Sequence, residues 1–183
     1  MAEAQLETIT LAGGCFWCTE AIFQRLKGVI KVESGYSGGK MENPSYEEVS
    51  SGDTGHAEAL RITFDPKIIP LEKLLDVFWA THDPTTLNKQ GNDVGTQYRS
   101  MIFFASEEQK AVIEKSKSTH QSEFKDPIVT AIEPFENFYK AEDYHQNYYN
   151  QNHDNNAYCP LVIDPKIQKL LHEFGDLVKD EYK

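Results

Sequence analysis

The sequence is poor in cysteine and in positive charge, and both shortages restrict what the protein can be. Its 183 residues include three cysteines, which excludes a small fold held by disulfides and leaves at least one thiol unpaired. Lysine and arginine number 18 against 29 acidic residues, so the net charge is −11. Because such a chain repels phosphate groups, we expect no nucleic-acid partner and no binding to an anionic membrane.

Long apolar runs are also missing. The first residues, MAEAQLETIT, lack the basic and then apolar pattern of an export signal, and no run of about 18 apolar residues follows. We therefore expect a cytoplasmic location, where a reducing environment keeps thiols free. With 39% hydrophobic and 11% aromatic residues, the chain can form a core, and its length predicts one domain spanning 1–183.

Hydrophobic periodicity predicts alternating strands and helices. The expected strands are 6–11, 29–33, 57–64, 101–105 and 128–133. The expected helices are 15–27, 70–81, 106–124 and a last helix from Asp164. The first six elements run β-α-β-β-α-β, the order of an α+β ferredoxin-like split β-α-β plait with antiparallel strands in the spatial order 4-1-3-2. We expect this core over about 6–133 and a C-terminal extension over 134–183.

The plait would place several loops at one edge of the sheet. Residues that follow the first two strands lie there together with residues that precede the third and fourth. That edge collects side chains from distant parts of the sequence, namely Cys15, Tyr36, Tyr46, Glu58, Asp93 and Tyr98. Taken singly, the tyrosines and the aspartate are ordinary residues, so their interest lies in this shared position.

Cys15 follows two glycines and begins a predicted helix. Free backbone N–H groups and the positive end of the helix dipole stabilise a thiolate there, which predicts a lowered pKa and a nucleophile. The alternative is a small buried apolar residue. Phe16 and Trp17 come next, and these rings either belong to the core or form a pocket for an apolar or sulfur-bearing group.

Cys18 completes a C-x-x-C motif with Cys15 at the same helix start. By itself this motif indicates a thioredoxin-like dithiol, although the predicted strand order differs from that fold. A structural zinc site is disfavoured, because the chain offers only Cys159 and six scattered histidines as further ligands.

Glu58 is the most informative carboxylate. It shares one face of a predicted strand with Leu60, Ile62 and Phe64, so burial should raise its pKa and keep it a neutral acid near pH 7. If the strand instead begins after Glu58, the side chain reaches solvent.

The segment YHQNYYNQNHDNNAYC, residues 144–159, is polar and aromatic and ends in Cys159. Its composition predicts a mobile or water-exposed helix and loop. A cysteine on such a segment can reach another thiol by moving.

Five motifs give the chain a family resemblance. They are GCFW at 14–17, GYSGG at 35–39, NPSYEEV at 43–49, GDTGHAEA at 52–59 and GNDVGTQYRS at 91–100. With these motifs, residues 6–160 resemble the peptide methionine sulfoxide reductase A family, which reduces the S epimer of methionine sulfoxide in protein repair.

The resemblance implies a role for each matching residue. Cys15 would attack the sulfoxide sulfur, and Phe16 with Trp17 would hold the substrate methyl group. Glu58 would be the protonated acid at the sulfoxide oxygen. The hydroxyls of Tyr46 and Tyr98 would assist that acid, and Asp93 would organise the site.

The resemblance also implies how the enzyme is regenerated. Cys159 has the usual position of a resolving cysteine, which would form a disulfide that thioredoxin then reduces. The family usually works as a monomer, and no metal or organic cofactor is implied. Cys18 stands where the family often has glycine, so it is a possible second resolving cysteine.

Two other functions remain open at this stage. A binding module that captures oxidised peptides on Phe16 and Trp17 would need no reactive thiol. A general dithiol oxidoreductase using Cys15 and Cys18 would need no Glu58.

Overall fold

Residues 5–183 are described by a computed structural model, which shows an α+β architecture with helices packed on a mixed sheet. The strands are β1 Glu7–Ala12, β2 Val29–Ser37, β3 Ala57–Phe64, β4 Lys89–Gln90, β5 Asp93–Val94, β6 Met101–Phe104, β7 Ala131–Pro134 and β8 Tyr139–Lys140. Six of them form one sheet in the order β7-β6-β1-β3-β2-β8, and β4 pairs with β5 in a separate ribbon.

The middle of the large sheet has the order expected for its four strands. β1 lies between β3 and β6, β2 lies outside β3, and all three pairings are antiparallel. The sheet is larger than expected, because β8 adds to the free edge of β2 and β7 pairs in parallel with β6. An antiparallel sheet of four strands is therefore an incomplete description.

The helices are α1 Phe16–Phe23, α2 Tyr46–Ser50, α3 Leu71–Thr81, α4 Glu107–His120, α5 Tyr148–Asn152 and α6 Asp164–Phe174. The first is shorter than expected and ends well before Lys27. The fourth and sixth are also shorter, because each passes into a short 3₁₀ turn, at 121–123 and 175–177. No helix within residues 5–183 has both the length and the apolar character needed to cross a membrane.

The pleat of β3 decides which of its side chains meet the main core. Leu60, Ile62 and Phe64 are fully buried in the large cluster that includes α1 and α3. Ala57 and Ala59 belong to a smaller cluster on the other side. Glu58 alternates with these alanines, so it shares the face of the large apolar residues.

The C-terminal segment is held against the sheet and α1 by polar contacts with buried groups. The Gln146 side chain accepts from the backbone N–H of Ser34 at 3.0 Å and donates to its carbonyl at 2.9 Å, like an added strand. The buried Glu20 carboxylate of α1 accepts from the backbone N–H groups of Asn147 at 2.9 Å and Tyr148 at 3.0 Å. These bonds fix the chain up to the start of α5.

The expectation of a water-exposed tract at 144–159 is therefore wrong for the residues that face α1. His145 is 1% exposed and Cys159 is 0% exposed. Other residues of the tract, such as Tyr144, Asn150 and Asp154, are exposed as expected.

Gly35 in β2 gives a test of this packing. A Cβ atom added there would lie 2.5 Å from the carbonyl oxygen of Tyr139 and 2.4 Å from the ring of Phe138. We expect Gly35→Ala to lower the free energy of unfolding by about 1–3 kcal/mol, because β8 must move away from β2. Urea unfolding measures this loss.

The matched control is Gly175→Ala, since an added Cβ atom there meets nothing within 4 Å. We expect a change within about 0.5 kcal/mol for that variant. Equal effects of the two substitutions contradict the close approach of β8.

Candidate active site

Cys15 lies at the start of α1, as the sequence predicts. It is the N-cap residue of the helix, and its carbonyl accepts the backbone N–H of Cys18 at 3.1 Å. Gly14 precedes it with a φ of 93°, a conformation that side chains disfavour. After this turn, Cys15 lies in the interior of the molecule, where it is only 8% exposed.

The predicted lowering of the Cys15 pKa is wrong. Burial raises the pKa of Cys15, and the neighbouring Cys18 thiol and Glu58 carboxyl raise it further. The pKa of Cys18 is instead lowered to about 7, first by its neighbour Cys15 and then by the Lys166 ammonium. Desolvation of Cys15 thus outweighs the helix-start effect.

Glu58 is buried, as predicted, with 1% of its surface exposed. Its Oε1 accepts the backbone N–H of Phe16 at 3.1 Å, which joins β3 to the first turn of α1. Burial raises the pKa of Glu58 to about 8, and the nearby Asp93 and Cys18 add to that rise. Glu58 is therefore mostly protonated at pH 7.

Tyr46 and Tyr98 lie half-buried around the same point. Burial raises the pKa of Tyr46 to about 12, and the charges of Glu58 and Cys15 raise it further. The pKa of Tyr98 is raised by burial and by the same two groups. Both hydroxyls remain proton donors at physiological pH and lie near the thiol and the carboxyl.

Asp93 lies on β5 and reaches the thiols through a tyrosine. Its Oδ2 accepts the Tyr158 hydroxyl at 2.8 Å, and that hydroxyl lies 3.5 Å from the Cys18 Sγ. The structure thus brings Asp93 to the Cys18 side of the site.

Aromatic rings from α1 and the C-terminal segment form one wall of the site. Trp17 stacks on Tyr148, with ring centroids 3.7 Å apart and planes inclined by 5°. Its indole N–H donates to Nδ1 of His145 at 3.1 Å. The His145 ring in turn lies 5.1 Å from the ring of Phe16 and 4.4 Å from that of Tyr46.

Cys159 is not bonded to Cys15 in this arrangement. It begins a helical turn, Cys159–Ile163, that packs against α1, and all three cysteines are free thiols. Burial raises the pKa of Cys159, and the charges of Asp164 and Cys18 raise it further. Within residues 5–183, no group of three or more His, Cys, Asp or Glu side chains is arranged to hold a metal ion.

Sequence reasoning missed four residues that build the site. His145, Tyr148 and Tyr158 supply contacts to Trp17, Cys18 and Asp93, while Glu20 anchors the segment that carries them. The only local signal was the density of aromatic residues just before Cys159. Periodicity reports local structure only. It cannot show that residues of this polar tract contact a helix more than a hundred positions earlier in the sequence.

Two neighbouring thiols beside a buried, protonated carboxyl are suited to thiol-based oxidation and reduction. The class that this fold and site define is a thiol-dependent oxidoreductase.

The chain belongs to the peptide methionine sulfoxide reductase family, whose model matches residues 7–177. It is 54% identical over 171 residues to the peptide methionine sulfoxide reductase MsrA of Sulfolobus acidocaldarius, covering 93% of this chain and 97% of the relative. It is 56% identical over 169 residues to the protein of that name from Erwinia tasmaniensis, covering 92% and 95%. Members of this family are oxidoreductases that reduce methionine sulfoxide.

Solved structures agree with this assignment. Mxr1 from Saccharomyces cerevisiae in reduced form superposes with a TM-score of 0.79 at 40% identity, covering 88% of this chain and 93% of that one. Methionine sulfoxide reductase A of Corynebacterium diphtheriae superposes with a TM-score of 0.74 at 31% identity, covering 85% of this chain and 79% of that one. The yeast protein in an unusual oxidized form gives a lower TM-score, 0.63, at 40% identity and 86% and 87% coverage.

The raised pKa of Glu58 is directly measurable. We expect its side-chain carboxyl carbon to titrate with a midpoint of about 8 in carbon-13 NMR spectra of glutamate-labelled protein. The resonance is assigned by its loss in Glu58→Gln. A midpoint near the ordinary value of about 4.3 contradicts the buried environment.

Proposed function

We propose that the protein reduces the S epimer of methionine sulfoxide, free or in proteins, to methionine, with Cys15 as the nucleophile. The observation that carries the proposal is the buried, protonated Glu58 hydrogen-bonded to the residue next to Cys15. A sulfoxide oxygen leaves poorly until it is protonated, so the reaction needs an acid that is still neutral at pH 7 beside a thiol.

The aromatic side chains bind the substrate in this proposal. Phe16 and Trp17 hold the methyl group, because thioether and methyl groups pack well on ring faces and edges. The stacking of Trp17 on Tyr148 and its bond to His145 fix the indole before substrate arrives. Such preorganisation lowers the entropy lost on binding.

Glu58, Tyr46 and Tyr98 act on the sulfoxide oxygen. The two hydroxyls donate hydrogen bonds to the oxygen, and Glu58 gives it a proton while the Cys15 sulfur attacks the sulfoxide sulfur. Cys15 is oxidised to a sulfenic acid, and methionine leaves as the reduced product. Asp93 organises this side of the site through its bond to Tyr158.

A second thiol then resolves the sulfenic acid. It attacks the Cys15 sulfur, water leaves, and the disulfide that forms is reduced by thioredoxin through dithiol exchange. We assign this role to Cys159, because Cys18 lies in the same helical turn as Cys15 and a disulfide between them would be strained. The yeast relative has been solved in complex with Trx2, with a TM-score of 0.57 at 32% identity and 80% and 87% coverage.

Since Cys159 is buried in the reduced protein, its segment must rearrange to reach Cys15. The lower TM-score of the oxidized yeast form agrees with a conformational difference between the two forms of that relative.

Four broader statements belong to the same proposal. The chain forms one catalytic domain, its core is a split β-α-β plait, and residues 134–183 extend that core and carry the resolving cysteine. The protein is a cytoplasmic monomer. The strand order and the packing of the C-terminal segment on α1 support the first three.

The proposed reaction is tested with separated epimers of a methionine sulfoxide peptide. We expect turnover of the S epimer and its loss in Cys15→Ser, because an alcohol at this position is a far weaker nucleophile than a thiol. Methionine is quantified by chromatography. Activity on the R epimer alone, or full activity of Cys15→Ser, refutes the proposal.

The role of Cys159 is tested by separating the first turnover from cycling. We expect Cys159→Ser to form about one methionine per enzyme and then to stop when thioredoxin is the reductant, because no disulfide forms. Mass spectrometry after one turnover identifies the cysteine joined to Cys15. Undiminished cycling in this variant assigns resolution to Cys18.

A further inference from the structure

The turn Gly13–Gly14, here called the diglycine turn, leads into Cys15 and is enclosed by two side chains that the proposed reaction does not yet use. A Cβ atom added at Gly13 would lie 3.1 Å from the ring of His82. One added at Gly14 would lie 2.6 Å from the side chain of Gln90. Because glycine has no Cβ atom, both side chains pack directly on the backbone of the turn.

The His82 ring is held in one orientation through both of its nitrogens. Its Nδ1 lies 2.6 Å from the carbonyl oxygen of Phe78, and its Nε2 lies 2.9 Å from Oγ of Ser100. Burial of the ring lowers the pKa of His82 to about 4, so the ring carries a single proton at pH 7. Since a carbonyl oxygen can only accept, that proton is on Nδ1, and Nε2 accepts the Ser100 hydroxyl. A ring flip would break both hydrogen bonds.

The same hydrogen bonds connect His82 to the sheet. The Ser100 hydroxyl, which donates to His82, accepts the hydroxyl of Thr130 at 2.7 Å. Ser100 and Thr130 are 6% and 1% exposed, and they directly precede β6 and β7. Met101, the first residue of β6, pairs with Ala12, the last residue of β1. His82 is thus bonded to the strand that lies beside the origin of the diglycine turn.

Gln90 of β4 is fixed across the other half of the turn. Its Oε1 accepts the backbone N–H of Asp83 at 2.9 Å, and its Nε2 donates to the carbonyl of Asp83 at 2.9 Å. Two bonds to one residue hold the side chain extended over Gly14. Because Asp83 directly follows His82, the end of α3 fixes both side chains on the diglycine turn.

The residues after Cys15 are held by contacts of their own. The backbone N–H of Phe16 donates to Glu58, and the Trp17 ring stacks on Tyr148. The Cys15 side chain makes no capping hydrogen bond to the helix, so the backbone on either side of it sets its position. A displacement of the diglycine turn therefore moves the thiol relative to Glu58 while the rings of the proposed methyl pocket stay in place.

We propose that His82 and Gln90 are positioning residues for the nucleophile, which hold the diglycine turn so that the Cys15 sulfur meets the sulfoxide sulfur. This role rests on the proposed function of Cys15. It acts on the rate of attack and not on the binding of substrate, and misplacing a reacting group by about 1 Å costs on the order of 100-fold in rate.

The role of His82 is tested with His82→Phe, which keeps an aromatic ring against Gly13 but removes both ring nitrogens. We expect the first-turnover rate at saturating S-sulfoxide peptide to fall about tenfold or more, and the half-saturating peptide concentration to stay within about twofold. Rapid quenching without reductant measures both, and it is independent of the resolving step.

The matched control is Trp79→Phe. It removes a buried aromatic hydrogen bond of α3, the one from the indole to Ser116 of α4, and so costs stability without releasing the His82 ring. We expect its first-turnover rate to stay within about twofold of the native rate. Urea unfolding of both variants shows that the rate does not simply follow the free energy of unfolding.

Gln90→Ala tests the other side of the turn at a partly exposed position, where the fold tolerates truncation better than at His82. We expect the same pattern, a slower first turnover of about tenfold with the half-saturating concentration within about twofold. The matched control is Gln168→Ala at an exposed position of α6, which should leave both quantities unchanged.

A double-mutant cycle tests whether His82 acts through Gly13. We expect Gly13→Ala to slow the first turnover of the native protein, because the added methyl group meets the rings of His82 and Phe78. In the His82→Ala background the same methyl group should cost a smaller factor, because one of those two rings is gone. Rate factors that multiply independently overturn the action through Gly13.

The outcomes separate the two proposals. Equal rate losses in His82→Phe and Trp79→Phe, or a raised half-saturating concentration at an unchanged rate, overturn the positioning role and leave the function of Cys15 intact. First-turnover activity in Cys15→Ser, or a native protein that does not reduce the S epimer, instead removes the proposed function itself.

Discussion

The hydrogen bond between the backbone N–H of Phe16 and the Glu58 carboxyl is the contact on which the site depends. It joins the start of α1 to β3, so it sets the position of Cys15 relative to the only acid buried on that face of β3. Glu58 can remain there because the desolvation that would destabilise its charged form keeps it protonated. Without that burial, the carboxyl would be ionised at pH 7 and would repel a thiolate.

The C-terminal segment supplies the part of the site that the sheet edge lacks. The edge brings together the thiol, the acid and two tyrosine hydroxyls, but it leaves Trp17 without a fixed orientation. Tyr148 and His145 supply that orientation from residues far away in sequence. Glu20, on the same helix as Trp17, holds this part of the segment through two backbone N–H groups. The helix α1 therefore carries Trp17 and also anchors the segment that fixes the orientation of Trp17.

Much of the site could be predicted because its residues are placed by local rules. The glycines before Cys15 and the alternation along β3 are local signals, and they led correctly to a helix start and to a buried Glu58. The lowered pKa of Cys18 could not be predicted, because beside its sequence neighbour Cys15 it depends on Lys166, which reaches Cys18 only in the folded chain. The same limit explains β8, since an edge strand of two residues has too few positions to show a period.

The anchoring of the chain at Tyr148 has a consequence for the timing of redox chemistry. The stretch from Tyr148 to Cys159, if released, spans about 35 Å at full extension, far more than the width of the site. Chain length therefore does not limit a collision between the Cys159 and Cys15 sulfurs, and a tether this short keeps the effective concentration of the thiol on the order of millimolar. In the proposed cycle, a disulfide between Cys159 and Cys15 would therefore wait for the contacts of this segment to break, among them the bond from Tyr158 to Asp93.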